Sequence, residues 1–153
     1  MGQINNLFII FFLVLVCLTI ESSARIRYVR ANATGLNNGS SWTDAYRELY
    51  TAVNNASLND TILVSSGTYR TDNFPSSLNG LFPLVSVSIF GGYANTGNPL
   101  FSSRNVGVNP TIISGLSGSN RVDFLLSVNS SSSIVLDNLI MQSAISQANN
   151  AGG

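Results

Sequence analysis

The feature that most constrains this chain is a repeated pairing of a short β-branched run with a corner marked by Gly or Asn. In residues 60–70, Ile62 and Val64 alternate with Leu63 and Ser65, the pattern of a strand with one face on a core, and Gly67 marks the turn after it. Similar runs recur at 85–90 before Gly91-Gly92-Tyr93, at 111–113 before Ser114-Gly115, and at 134–136 before Asp137-Asn138. Taking Ile62, Val87, Ile112 and Val135 as equivalents, the spacings are 25, 25 and 23 residues. A period in the twenties predicts a solenoid, in which each repeat buries its apolar face only against its neighbours.

The first part of the chain has a different character. Residues 7–20 form an apolar run with Thr19 as its one polar member, too short to span a bilayer comfortably. Ser22-Ser23-Ala24 then places small side chains at the −3 and −1 positions of a cut after Ala24. Together these predict a secretory signal at 1–24, although no Lys or Arg precedes the apolar run. An uncleaved anchor is the alternative.

Without that leader the chain is mostly Asn, Ser, Gly, Thr and aliphatic residues. The seven basic residues are all Arg, against Asp44, Glu48, Asp60, Asp72, Asp123 and Asp137, and there is no His. No basic patch suited to phosphates is present, which argues against nucleic acid as a partner. The single Cys, Cys17, leaves with the leader, so stability must come from packing rather than from a disulfide.

Ile26 and Tyr28 share one face of a first strand over 25–30, with Arg27 on the other. Between Trp42 and Ala56 the period changes, and Ala45, Leu49, Ala52, Val53 and Ala56 form the stripe of an amphipathic helix. Thr43 or Asp44 is suited to cap its first amides, with Glu48 in an early turn. One such helix ahead of the first repeat reads as a cap over exposed core.

A family resemblance runs through these segments. Its residues are Tyr28-Val29, Ala33-Thr34-Gly35, the stretch from Asn38-Gly39-Ser40 through Trp42-Thr43-Asp44-Ala45-Tyr46, Asp60-Thr61-Ile62 and Gly67-Thr68-Tyr69. Ile89-Phe90-Gly91-Gly92-Tyr93, Arg104-Asn105, the stretch Asn109-Pro110 to Ser114-Gly115, and Leu136-Asp137-Asn138-Leu139 continue it. In order and spacing the chain resembles the N-terminal section of right-handed parallel β-helix proteins of pectin-lyase-like fold, of the kind found in cell-surface proteins related to polymorphic outer-membrane proteins. Asn59 and Asn138 stand where that family usually has Gly, and Asn tolerates the left-handed conformation such positions take. The resemblance implies an all-β fold, a right-handed parallel β-helix of about four coils, with one N-terminal capping α-helix. The corresponding division is a signal at 1–24, first strand and capping helix at 25–60, and coils at 61–153, incomplete at the C-terminus.

The same family includes pectate lyases, pectin lyases and polygalacturonases, so the resemblance also admits an enzyme. Lyase chemistry of that kind needs carboxylates clustered on calcium and a basic residue beside the abstracted proton. Asp123 and Asp137 are single and separated, and Asp60 sits beside turn residues. Hydrolysis needs two carboxylates facing each other across a glycosidic bond, and no such pair is legible. Arg104 and Arg121 read as loop-tethering or solvated residues. No catalytic, cofactor-binding or metal-ligating set is assigned, and no cofactor is expected. Trp42, Tyr46, Tyr50, Tyr69 and Tyr93 are either core anchors or a sugar-stacking surface.

Five Asn-x-Ser/Thr sequons mark candidate glycosylation sites at Asn32, Asn38, Asn55, Asn59 and Asn129, whereas Pro110 excludes Asn109. The expected function is a non-enzymatic secreted or cell-surface module serving as scaffold, adhesin or carbohydrate contact. The alternative is the N-terminal fragment of a polysaccharide lyase or glycoside hydrolase. Expected partners are carbohydrate or another surface protein, with membrane contact only through the signal segment. The apolar strands of 134–141, followed by a small polar tail, also predict self-association through an open C-terminal coil.

Overall fold

The computed structural model describes residues 23–70, 83–117, 120–121, 126 and 131–143. Along the chain lie β1 (Ile26–Val29), α1 (Leu49–Asn54), β2 (Asp60–Ser65), β3 (Gly67–Arg70) and β4 (Val87–Tyr93). A 3-10 turn (Phe101–Ser103) is followed by β5 (Thr111–Ser114), β6 (Leu116–Ser117), β7 (Asn120–Arg121), β8 (Ile134–Asp137) and β9 (Ile140–Gln142). Two parallel sheets result, one ordered β1-β2-β4-β8 and the other β3-β5-β9, with β6 and β7 as a small antiparallel ribbon. Gly67 makes the corner between β2 and β3 at φ +148°, where its amide donates to the Pro110 carbonyl at 3.0 Å.

Alternation along the first sheet divides its residues between two apolar clusters. Val29, Ile62, Val64, Val87 and Ile89 point inward, where they meet Tyr69 and Ile113 of the second sheet and Leu49, Ala52 and Val53 of α1. Leu63 and Tyr93 point the other way and pack under Trp42, with Tyr28 and Phe90 at the margin. The central strands β2 and β4 are therefore covered on both faces, the usual condition of a parallel sheet. At Thr111 a buried polar group is satisfied by the backbone. Thr111 Oγ1 accepts from the Gly92 amide at 3.0 Å and lies 3.3 and 3.2 Å from the carbonyls of Val64 and Ser65.

Several expectations from the sequence are corrected here. The described residues form two small parallel sheets with few helices, an α/β-like mixture, and they do not close into a solenoid. The single period fails because the four residues taken as equivalent do not share a row. Ile62 pairs with Ile89 and Ile89 with Leu136, steps of 27 and 47 residues, whereas Ile112 lies in the other sheet between Thr68 and Ile140. Unequal connections set those steps, so similar strand runs recur without equal coils.

The helix is also shorter than its stripe. It covers Leu49–Asn54, and neither Thr43 nor Asp44 caps it: Glu48 stands at the N-cap in an extended conformation without a side-chain cap. Residues 42–46 instead run beside β1. The Tyr46 amide donates to the Tyr28 carbonyl at 2.9 Å, and the Arg30 amide donates to the Tyr46 carbonyl at 2.8 Å. Backbone groups committed to a sheet edge are unavailable to helical bonds.

Asn59 and Asn138 both adopt left-handed backbone, at φ +66° and +55°. β8 and β9 are the outer strands of their sheets, and Val135, Leu136, Ile140 and Met141 are exposed there. Residues 123–128, apart from Leu126, lie outside the described residues, as do the tail after Ser143 and the apolar run at 7–20. Among the described residues no helix is long and apolar enough to cross a membrane.

Candidate functional site

The other outer strand of the first sheet is β1, and its edge is only partly covered. From Tyr28 onward the returning chain closes it, with the Tyr28 amide donating to the Gly39 carbonyl at 3.0 Å. Before Tyr28 no other segment pairs with this edge among the described residues. There a cavity of about 570 Å³ is lined by Arg25, Ile26, Arg27, Tyr28, Asn38, Gly39 and Ser40. A second, of about 300 Å³, is lined by Tyr28, Ser40, Ser41, Trp42, Asn98, Pro99 and Leu100. Both are lined by Tyr28 and Ser40, so the two adjoin there, with hydroxyl and amide groups around them; together they are called the Tyr28 cleft. This combination of an apolar body with a few placed polar groups is what small-molecule sites use.

The walls of the cleft are firmly held. The Trp42 ring meets Tyr28 edge-on at 4.9 Å and Tyr93 at 5.1 Å, and its Nε1–H donates to the Pro99 carbonyl at 3.3 Å. Arg30 stacks 4.8 Å above the same indole and donates to the carbonyls of Trp42 at 3.3 Å and Gly97 at 2.9 Å. Burial pulls the Arg30 guanidinium below its usual pKa range, with Tyr69 opposing, and its Nε has no partner among the described residues. On the opposite wall Asp44 organises the 36–44 loop. Its carbonyl accepts from the amides of Asn38 and Gly39 at 2.9 and 2.8 Å, and its carboxylate accepts from the Leu36 amide and the Ser41 hydroxyl at 2.9 and 3.0 Å.

The floor near Arg27 is fixed by Asp60, whose Oδ2 accepts Arg27 Nε–H at 2.8 Å. Arg27 Nη1 reaches the Tyr46 hydroxyl at 3.5 Å. On the outer face Arg104 pairs with Asp137 at 2.7 Å and lies 4.0 Å over Phe101 and 5.0 Å over Phe90. It anchors the 97–104 loop that closes the second cavity.

Four of the five aromatic residues considered for sugar stacking are buried: Trp42, Tyr46, Tyr69 and Tyr93. Trp42 lines the second cavity with Tyr93 packed against it, Tyr46 and Tyr69 belong to the inner core, and Tyr50 is partly buried against that core. The ring that faces the cleft is Tyr28, which the sequence reading treated only as a strand residue. Its signal was present in Asn38-Gly39-Ser40, a turn segment able to pair with an open edge, but nothing local indicated that the two would meet.

Asp44, Asp60 and Asp137 are each held in a structural bond, and Asp123 lies outside the described residues. No group of three His, Cys, Asp or Glu side chains able to hold a metal occurs among the described residues. Asn32, Asn38, Asn55 and Asn59 are exposed, and Asn129 lies outside the described residues. Of the sequons among the described residues, only Asn38 with Ser40 lines the cleft. No family model, curated protein or solved structure matches this chain.

Proposed function

We propose that this protein is a non-enzymatic extracellular binding module that contacts carbohydrate through the Tyr28 cleft. The observation that carries the reading is that Tyr28 and Ser40 line both cavities. A half-buried aromatic ring flanked by Ser40, Ser41, Asn38 and Asn98 offers a stacking face with hydroxyl and amide partners at its rim, the complement of a sugar ring. The structural use of Asp44, Asp60 and Asp137 supports binding rather than bond cleavage. Export follows from the leader at 1–24, and amino-terminal sequencing of the secreted material should begin at Arg25.

Titration calorimetry of the chain produced without N-glycans against a panel of neutral and acidic oligosaccharides tests the reading. Saturable binding to at least one class, weakened tenfold or more by Tyr28→Ala, is expected. Binding that Tyr28→Ala leaves unchanged, or none across the panel, sinks it. A second contact is also part of the proposal. The exposed apolar side chains on β8 and β9 fit pairing with a second copy of the chain, because an open parallel edge accepts another strand. Sizing chromatography should show association that Val135→Lys with Met141→Lys abolishes, and a concentration-independent monomer sinks this part.

A further inference from the structure

We infer that Asn38 is an N-glycosylation site whose glycan occupies the Tyr28 cleft and closes it to other ligands. The inference rests on the proposed export and on the proposed contact site.

The exposed sequons are not equivalent in geometry. Asn55 ends α1, and its Nδ2 is already committed to the Thr51 carbonyl at 2.8 Å. Asn59 sits at φ +66° with its acceptor-motif residue Thr61 inside β2 and the buried Asp60 between them. At Asn38 the arrangement is different. Its Oδ1 accepts from the Ser40 amide at 3.0 Å, an Asx turn that sets the side chain and leaves Nδ2 without a bond among the described residues. The backbone beneath is rigid, since the Asn38 and Gly39 amides both donate to the Asp44 carbonyl. Both ends of the sequon, Asn38 and Ser40, line the cavity that holds Tyr28.

In the modification, Asn38 Nδ2 bonds to C1 of the reducing sugar of a lipid-pyrophosphate-linked oligosaccharide. The C1–O bond breaks, the pyrophosphate leaves with the electron pair, and Nδ2 gives up one proton. A sugar attached there starts at the rim of an opening of about 570 Å³ that Asn38, Ser40 and Tyr28 line together. Its first residues lie over Tyr28 rather than in bulk water. The glycan thereby acts as a tethered occupant at high effective concentration. Asn32 carries an exposed sequon that does not line the cleft and serves as the control.

The test uses the full chain secreted from a eukaryotic cell line, with tetranitromethane as the probe of Tyr28. Peptide mass spectrometry should find a glycan on Asn38, and Tyr28 nitration should be at least tenfold slower than in Asn38→Gln or Ser40→Ala. Asn32→Gln should leave Tyr28 as protected as before. An unmodified Asn38, or a modified Asn38 with Tyr28 nitrated as fast as in Asn38→Gln, overturns the inference. Neither readout uses a carbohydrate ligand, so failure of the binding panel leaves both unchanged. Absence of the chain from the medium overturns the export premise and this inference with it.

Discussion

Asp60 Oδ2 holds Arg27 Nε–H at 2.8 Å where β1 and β2 begin side by side, and its Oδ1 accepts the Arg25 amide at 2.7 Å. The Ser57 amide adds a third donor at 2.9 Å. One carboxylate therefore pins the entry of β1, the end of the α1–β2 connection and a wall of the cleft. Burial alone pushes the Asp60 carboxyl up, but the Ser57 and Arg25 amides and the Arg27 guanidinium outweigh it and hold it below the usual carboxylate range.

A folded-state pKa below the unfolded value gives stability that is present above the ordinary 3.8 and lost as pH falls through the folded pKa. Unfolding followed from neutral pH downward should show the loss beginning near pH 4. Asp60→Asn should lack that acid limb and be about 3 kcal/mol less stable at neutral pH, because Arg27 keeps its partly buried charge without a partner. Parallel pH profiles for the two proteins would refute this role.

Tyr93 is fully buried, and its hydroxyl has no partner among the described residues. Burial pushes the phenol up to about 12, with the Arg104 charge opposing. Because the folded pKa exceeds the unfolded one, its contribution is complete below the ordinary value of 10.0 and disappears as pH rises through about 12. Tyr93→Phe removes the unsatisfied group and should raise stability by about 1 kcal/mol. Denaturant titration checks the gain, and ultraviolet titration should show the last phenolate step missing. A loss of stability in Tyr93→Phe would mean that the hydroxyl is bonded.

Arg104 joins three aromatic rings to Asp137 across the outer face. Arg104→Ala should cost about 1 kcal/mol, the sum of a half-exposed ion pair and cation–π contacts. Asp137→Asn should cost less, since the ring contacts survive. Hydrogen exchange should speed up over 97–104 in Arg104→Ala and remain nearly unchanged elsewhere. Uniform acceleration throughout the sheets would show that the residue does more than hold this loop.

Gly91 is required by proximity rather than by backbone angle. A Cβ there would come within 2.9 Å of the Thr111 Cβ and closer still to the Asn138 carbonyl oxygen. Gly91→Ala should therefore destabilise by about 2 kcal/mol, the usual scale of overpacking, and loosen the β4–β8 pairing. Thermal unfolding of the variant gives the number, and an unchanged midpoint would contradict the close approach.

The strand runs were legible because each is a local signal. Ile62 with Val64, Val87 with Ile89, and the Thr111-Ile112-Ile113 run carry β-branched side chains at period two, and each forms a strand. The positive φ at Asn59 and Asn138 was likewise readable from residue type. The helix was half legible. Leu49, Ala52 and Val53 do bury one face, whereas Ala45 continues the stripe outside the helix because Tyr46 is bonded to β1.

Residue type and period, acting over a few neighbours, determined where this chain extends, where it turns and which side chains are apolar enough to be buried. Pairing did not follow from them. Ile112 resembles Ile62 as closely as Ile89 does, yet Ile89 is the neighbour and Ile112 joins the other sheet. That choice depends on where connections of unequal length return the chain, a cost shared over whole loops and carried by no single residue. The cleft was decided at the same level. Tyr28 and Ser40 line the same cavity because the 39–46 segment returns along half of β1 and leaves the other half unpaired among the described residues, and only the assembled sheet contains that edge.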